Sequence, residues 1–334
     1  MDKDAALIYH VAIQKRVPIT FFFSGVEIES MRHHPISEAI RNGPFINPRF
    51  GHCDSYSPEI GVMTYNHNPL YLPGFWDQRE YLEGILPDQI GRSIDVAQQV
   101  LGITPVTFTG PDGIYAPAAA YKLRQHGLDS VVVSGEFLGD YRHGKGMVYH
   151  ASGLRHPMRT NDIQPHHFHS PKDLVNRIMN YAYENNTPHV IVSCDIDEFN
   201  GMKARPLGEG IGFLCQLGDE IYRPETKMIN CNASSYWNPH QDFNITRVWP
   251  WNEPHSMQNG RGDFDYMFHD RLNMLKHLVW LIGQRNREGW NVQPAKEDYY
   301  IAGDAACLHR AFGNGWIEQH FWKHVLKVKE FLRG

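Results

Sequence analysis

The sequence predicts an α/β fold built around a parallel β-sheet, because helical and strand-like segments alternate along roughly its first 200 residues. The helical segments repeat apolar residues every three or four positions, whereas the strand-like segments are short continuous apolar runs, which is typical of strands buried on both faces. In chain order these are a helix 5–16, a strand 17–23, an extended piece 60–64, a helix 89–101, a strand 105–108, a helix 117–126, a strand 130–134, a helix 172–185 and a strand 189–194.

The pattern changes after Gly201, where the chain becomes richer in Gly, Asn, Pro and Trp before helical spacing returns. We therefore expect residues 1–201 to form the sheet-bearing core and residues 202–334 to form a helical portion packed on it. Its predicted helices span 265–283, 302–312 and 319–331, and the irregular stretch 237–261 is expected to cover the functional edge of the sheet.

Composition excludes several classes of protein. The net charge of -5 and the absence of any Lys/Arg-rich run argue against a nucleic-acid partner. No apolar run near the start could act as a signal peptide or cross a membrane, so the expected location is cytoplasmic, with no membrane partner. The five cysteines are odd in number and include no CxxC pair, which predicts reduced thiols rather than disulfides or a zinc knuckle. No motif indicates a cofactor.

Functional residues of a parallel sheet follow the carboxyl ends of its strands, and four segments there carry polar motifs. They are 59–73, with the predicted strand running into His67; 111–118, which reads Pro-Asp-Gly-Ile-Tyr-Ala-Pro-Ala; 127–138, with Glu136 just past a strand; and 194–201, with Asp195 directly after a strand. In this order, over residues 17–201, they resemble the motifs of glycoside hydrolase family 57, in the barrel superfamily that also holds family 38 and the polysaccharide deacetylases.

The resemblance implies an incomplete (β/α)7 barrel with a helical C-terminal portion, and a retaining enzyme that acts on α-linked sugars. A retaining glycosidase uses two carboxyl groups about 5 Å apart, one as nucleophile and one as acid/base. The family's acid/base falls at Asp195, but its nucleophile falls at Ala118, whose methyl group cannot form a glycosyl-enzyme. Glu136 and Asp112 are the candidate replacements, so catalysis stays an open question.

Four further residues are candidate ligands for the sugar. We expect His67 to hydrogen-bond a hydroxyl, Asp197 to join the acidic cluster after the last strand, Tyr115 to stand in the motif of segment 111–118, and Trp251 to stack on a ring. Structural interpretations remain open for each of them: a satisfied histidine, charges at a helix N-terminus, or core packing. Family members often carry an acid near the position of Asp304, but a helix N-terminal charge is the favoured interpretation there.

Two alternatives remain beside the enzyme. The loss of the nucleophile at Ala118 fits a barrel that binds carbohydrate without turnover. A metal-dependent polysaccharide deacetylase would use a set such as His52, Asp54 and His67, but Met63 replaces the first histidine of that family's motif. We therefore expect no metal, and interpret the histidines at 166, 167 and 169 as an exposed polar loop.

Overall fold

The computed structural model describes residues 3–15, 17, 19–42, 58–68, 79–111, 119–134, 147–149, 154–160, 162–186, 190–194, 209–223, 268–308 and 315–333. The helices are α1 (Lys3–Lys15), α2 (Gly25–Ser30), α3 (Pro35–Asn42), α4 (Leu86–Val96), α5 (Ala120–Gln125), α6 (Pro171–Glu184), α7 (Glu209–Ile221), α8 (His269–Arg287), α9 (Gln293–Ala302), α10 (Ala305–Leu308) and α11 (Gly315–Arg333). The strands are β1 (Thr20–Phe23), β2 (Glu59–Val62), β3 (Thr107–Thr109), β4 (Ser130–Ser134), β5 (Met147–Tyr149) and β6 (Arg155–Arg159).

Strands β1, β2, β3, β4 and β6 lie side by side in that order, and all of them run parallel. At the far edge β5 pairs antiparallel with β6. At the carboxyl end of β6, Arg159 forms a parallel bridge with Ile191. Because the five parallel strands point the same way, their carboxyl ends form one edge of the sheet, and the loops that follow them gather there. We call this the carboxyl edge.

The two faces of the sheet differ in polarity. On the face covered by helices, Phe21 packs against Tyr9 of α1 with ring centroids 5.8 Å apart. On the other face, the buried carboxylate of Glu59 accepts hydrogen bonds from the hydroxyls of Thr20 (2.9 Å) and Thr107 (2.5 Å). Successive side chains of a strand point to opposite faces, so Thr20, Glu59 and Thr107 form a polar cluster on the face opposite Phe21.

Local signals fix where several helices begin and end. Ser170 caps α6 by accepting a hydrogen bond from the backbone N–H of Asp173, and Pro171 occupies the first helical position. The helical segment through α4 carries a π-helical turn at each end and stops at Gly102, whose φ of 68° is the left-handed conformation that glycine adopts without strain. Each of these signals can be recognised in the sequence.

Two arginines of α8 link it to the other C-terminal helices, to α11 and to α10. The Arg285 Nε donates to the Leu332 carbonyl (2.8 Å), and the buried Arg271 donates through Nη1 to the Cys307 carbonyl (2.6 Å). Large side chains fill this layer, among them Tyr299, Tyr300 and Phe321. In the described ranges, no helix has both the length and the apolar character that crossing a bilayer requires.

The structure contains elements that the sequence does not predict. Strand β6 reads Arg-His-Pro-Met-Arg and β5 has three residues, so neither has an apolar run that would mark it. Helix α7 holds three glycines, which lowers its helical propensity. Conversely, the predicted strand 189–194 forms a single bridge, at Ile191, within its described residues. The proposed boundary at residue 201 lies outside the described residues and stays a prediction.

Two glycines of α7 give a test of how this helix docks on α1. A Cβ added to Gly218 would lie 2.8 Å from Lys15 Cβ and 2.9 Å from the Lys15 carbonyl oxygen, whereas one added to Gly212 meets no atom within 4 Å. We expect Gly218→Ala to lower the free energy of unfolding by about 1–3 kcal/mol through overpacking. Gly212→Ala should instead raise it by about 0.5–1 kcal/mol through helix propensity. Urea denaturation measures both, and equal effects would contradict the packing.

Candidate functional site

Glu27 lies just past the carboxyl end of β1, in the first turn of α2. Its carboxylate accepts hydrogen bonds from the Ser24 backbone N–H (2.7 Å) and the Ser24 hydroxyl (2.8 Å), while the Ser24 oxygen accepts from the Glu27 N–H (3.3 Å). This reciprocal capping box fixes both side chains where the strand turns into the helix. One acid is thereby anchored at the carboxyl edge.

The loop 64–68, which follows β2, brings His67 to the same edge. His67 has a φ of 56°, in the left-handed region that costs a non-glycine residue about 1–2 kcal/mol. The turn is held by two hydrogen bonds, from the His67 N–H to the Thr64 carbonyl (3.1 Å) and from the Thr64 hydroxyl to the Asn68 carbonyl (2.6 Å). These bonds hold the turn at His67 in place despite the unfavourable backbone conformation.

Neighbouring helices hold the loop from both sides. The buried Gln89 side chain in α4 accepts the Asn66 N–H (3.0 Å), and its main-chain carbonyl accepts the Tyr65 N–H (3.3 Å). On the other side, Asn68 Nδ2 donates to the Tyr300 carbonyl of α9 (3.1 Å). The two loop N–H groups are thus satisfied by Gln89 of α4, while a loop side chain makes the bond to α9.

Asp304 approaches this loop from the C-terminal helices. It follows α9 after Gly303, at which an added Cβ would lie 2.5 Å from Asn68 Nδ2, so the close approach requires glycine. The Asp304 Oδ1 accepts the Ala306 N–H (2.8 Å) at the start of α10. Asp304 therefore acts at the N-terminus of α10 as expected, and this hydrogen bond uses one oxygen of its carboxylate.

Burial is the main influence on the Asp304 carboxyl and raises its pKa. The Ala306 N–H and the charge of His67 lower that pKa, while the charge of Glu27 raises it further. Glu27 and His67 therefore act electrostatically on Asp304 although they follow different strands. An acid with a raised pKa beside a histidine and a second carboxylate is typical of functional sites. Glu27, and the interaction of Asp304 with Glu27 and His67, were missed from the sequence because these residues are far apart along the chain.

The remaining predicted site residues cannot be placed against this cluster. They lie outside the described residues: Asp195, Glu136, Asp112, Asp197, Tyr115, Trp251 and the substituted position Ala118. The structure ends its description of that region at Cys194, one residue before Asp195. Of the predicted ligands, His67 alone is described, and it lies at the expected edge.

Two further observations bear on the histidines and on metal binding. Within the described ranges, no group of three His, Cys, Asp or Glu side chains could hold a metal ion. His166 is buried with its ring against that of His167, centroids 4.3 Å apart, so the expectation of an exposed loop is wrong for His166. His167 and His169 are exposed as expected.

The fold is that of known carbohydrate-active enzymes. A 4-α-glucanotransferase from Thermococcus litoralis superposes with a TM-score of 0.67 at 15% identity, covering 97% of this chain and 55% of that one. A family 57-type branching enzyme from the archaeon Pyrococcus horikoshii gives 0.61 at 10% identity, covering 97% and 82%. An α-amylase from Thermotoga maritima gives 0.62 at 10% identity, covering 100% and 90%. No protein-family model matches the sequence, and no curated protein sequence matches it.

The chain has the fold of family 57-type enzymes. This confirms the expected incomplete α/β barrel with a helical C-terminal part, and confirms the resemblance at the level of fold. The chain spans only about half the length of the glucanotransferase, at 55%. At these identities the similarity shows only that the chains share a fold. Activity and substrate therefore have to be argued from the residues of the carboxyl edge.

The raised pKa of Asp304 predicts a pH-dependent cost to stability. Because the folded pKa lies above the unfolded one, the folded protein binds more protons between the two values, and stability falls as pH rises through that window. Asp304→Asn removes the charge while an Asn can still cap α10. We expect its Tm to exceed that of the unaltered protein at pH 7 by about 1–3 °C, with the gain vanishing below about pH 4.

Asp270→Asn is the matched control, since Asp270 is an exposed acid in the first turn of α8. It favours its helix through the macrodipole, so its loss should leave Tm unchanged or slightly lower at pH 7. Thermal unfolding from pH 3.5 to 7.5 checks both variants. A Tm gain for Asp304→Asn that is the same at every pH would contradict the electrostatic origin.

Proposed function

We propose that this protein binds α-linked oligosaccharides or polysaccharides at the carboxyl edge, as a glycoside hydrolase-like or transglycosylase-like protein. The observation that carries the proposal is that the segments holding Asp304, His67 and Glu27 contact one another: Gly303 lies against Asn68, and the Val26 N–H donates to the Tyr65 carbonyl at 2.9 Å. Carboxylate oxygens accept hydrogen bonds from hydroxyls, and an imidazole can donate or accept one. Such a set suits the dense hydroxyl groups of a sugar ring.

The choice of α-linked sugars draws on the proteins that share the fold. A 4-α-glucanotransferase, a branching enzyme and an α-amylase have this fold, and a maltose-forming amylase from a Pyrococcus species superposes with a TM-score of 0.54. Their names favour an α-glucan over another polymer. The acidic cluster and the histidine of this chain are compatible with that choice.

Turnover requires a second part of the proposal, concerning residues outside the described ranges. We assign Asp195 as the acid/base and Glu136 or Asp112 as the nucleophile in place of Ala118. In a retaining mechanism one carboxylate attacks the anomeric carbon as the other protonates the leaving oxygen, and water then releases the sugar. Asp197, Tyr115 and Trp251 are assigned to sugar binding.

Binding is tested by titrating maltoheptaose into the protein in a calorimeter at pH 7. We expect Asp304→Asn and His67→Ala to weaken the affinity about tenfold or more, because a hydrogen bond to a charged group contributes about 1.5–3 kcal/mol. The matched control Asp270→Asn should bind as the unaltered protein does. Loss of affinity in the control, or unchanged affinity in both site variants, would contradict the site.

Turnover is tested by incubating the protein with maltoheptaose and separating the products by chromatography. If the chain is an enzyme, shorter or longer oligosaccharides form, and Asp195→Asn abolishes them while maltoheptaose still binds. Comparing Glu136→Gln with Asp112→Asn then identifies the nucleophile, whose loss removes at least about three orders of magnitude in rate. Full activity in Asp195→Asn would remove the acid/base assignment.

The substitution at Ala118 favours a second candidate, a barrel that binds carbohydrate without turnover. Saturable binding of maltoheptaose with no product over several days would support it, whereas steady release of reducing ends would exclude it. The deacetylase alternative differs in requiring a metal. Elemental analysis of the purified protein that finds no zinc, nickel or cobalt would dispose of it.

A further inference from the structure

Arg92 of α4 occupies the junction between the loop 64–68 and the C-terminal helices. Its guanidinium carbon lies 4.1 Å from the ring centroid of Tyr65 and 5.8 Å from that of Tyr300. Its Nη1 donates to both carboxylate oxygens of Glu297, at 2.7 and 2.8 Å. One planar cation thus contacts an aromatic ring of the loop and two side chains of α9.

The partners of Arg92 are themselves fixed at their far ends. The Tyr65 hydroxyl donates to the carboxylate of Glu29 in α2, and the Tyr300 hydroxyl donates to that of Asp88 in α4. The Arg92 side chain is 29% exposed, so water screens its ion pair only in part. The Tyr65 ring lies close to Gly25 of α2, so removing the guanidinium would leave the ring without its link to α9 through Glu297.

The junction controls the two ligands that face the proposed sugar site. Tyr65 precedes His67 by two residues in the loop, and Tyr300 precedes Asp304 by four at the end of α9. Gln89 holds the loop to α4, whereas Asn68 ties it to α9 by one hydrogen bond, to the Tyr300 carbonyl at 3.1 Å. The Arg92 guanidinium adds a second link from the loop to α9, through the Tyr65 ring and Glu297.

We propose that Arg92 is a positioning residue for the sugar site, holding the His67 loop against α9 and so setting the separation of His67 and Asp304 and the exclusion of water between them. This role rests on the proposed function for the identity of the ligand, whereas the contacts that support it are those of Arg92 at the junction. Arg92 itself does not touch the sugar. A lysine could keep the charge, but it cannot provide the planar surface between the two rings.

Comparing Arg92→Met with Arg92→Lys distinguishes the effect of the planar guanidinium from the effect of its positive charge. We expect Arg92→Met to weaken maltoheptaose binding about tenfold and Arg92→Lys to weaken it about threefold, whereas Arg285→Met should leave affinity unchanged. Arg285 is a matched control, because its guanidinium lies 4.4 Å from the Trp290 ring centroid, pairs with Glu288 and joins α8 to α11. If both methionine variants lose the same Tm but only Arg92→Met loses affinity, the weaker binding comes from lost positioning and not from general destabilisation.

The pH dependence of binding gives a readout that general destabilisation would not move. Ionised Asp304 accepts hydroxyl hydrogen bonds more strongly than the protonated acid does, so affinity falls in acid as that carboxyl protonates. Looser docking admits water to Asp304, and the acid limb of the affinity profile should move to lower pH in Arg92→Met but not in Arg285→Met. Among the described residues, the titratable and charged groups around Asp304 are Glu27 from α2, His67 from the loop, Cys307 from α10 and, beyond it, Arg271 from α8.

A measurement without glycan keeps this inference separate from the proposed function. The Tm gain of Asp304→Asn at pH 7 is compared in three backgrounds: unaltered, Arg92→Met and Arg285→Met. We expect the gain to shrink to less than half in the Arg92→Met background alone, because hydration relieves the buried charge. The same gain in all three backgrounds, or a loss in both arginine variants, overturns the positioning role whether or not any glycan binds. Absence of binding in the unaltered protein overturns the proposed function instead.

Discussion

The docking of the loop 64–68 between α4 and α9 is the constraint on which the carboxyl edge depends. The loop has neither helix nor strand to satisfy its backbone, so its polar groups need partners from elsewhere. Gln89 supplies them on one side and the Tyr300 carbonyl on the other, while Arg92 adds contacts to the flanking rings. A histidine in a left-handed conformation persists only where its surroundings determine it this strongly.

This docking makes the C-terminal helices part of the site. Asp304 is more than 230 residues from both Glu27 and His67 along the chain, yet it responds to the charges of both. The approach depends on Gly303, since any side chain there would meet Asn68. The parallel sheet therefore provides two of the three groups, and the helical portion provides the third. Loss of the helical portion would be expected to remove a ligand and also to release the loop.

The sequence predicts the parts of the fold whose signals are local. Strand β4 is an uninterrupted apolar run and its bounds are predicted to the residue, whereas β6 places Arg155 and Arg159 inside the sheet and so gives no such run. The fold class follows from the alternation of helices and strands. Site residues are harder, because a side chain's role depends on neighbours that the chain order does not reveal. His67 could be found through a motif beside a strand, while Asp304 looks like a helix N-terminal charge because that is its only local partner.

Several features that lower the stability of the folded protein lie close together around the loop 64–68. Around the loop, three buried polar atoms have no hydrogen-bond partner among the described residues: Asn68 Oδ1, Gln89 Nε2 and Ser93 Oγ. The left-handed His67 and the partly buried carboxyl of Asp304 add to these costs in the same region. A site kept only for stability would be expected to lose such features, since each of them lowers the free energy of unfolding. We infer that these costs are kept because the loop has to present His67 at the site proposed for the carboxyl edge.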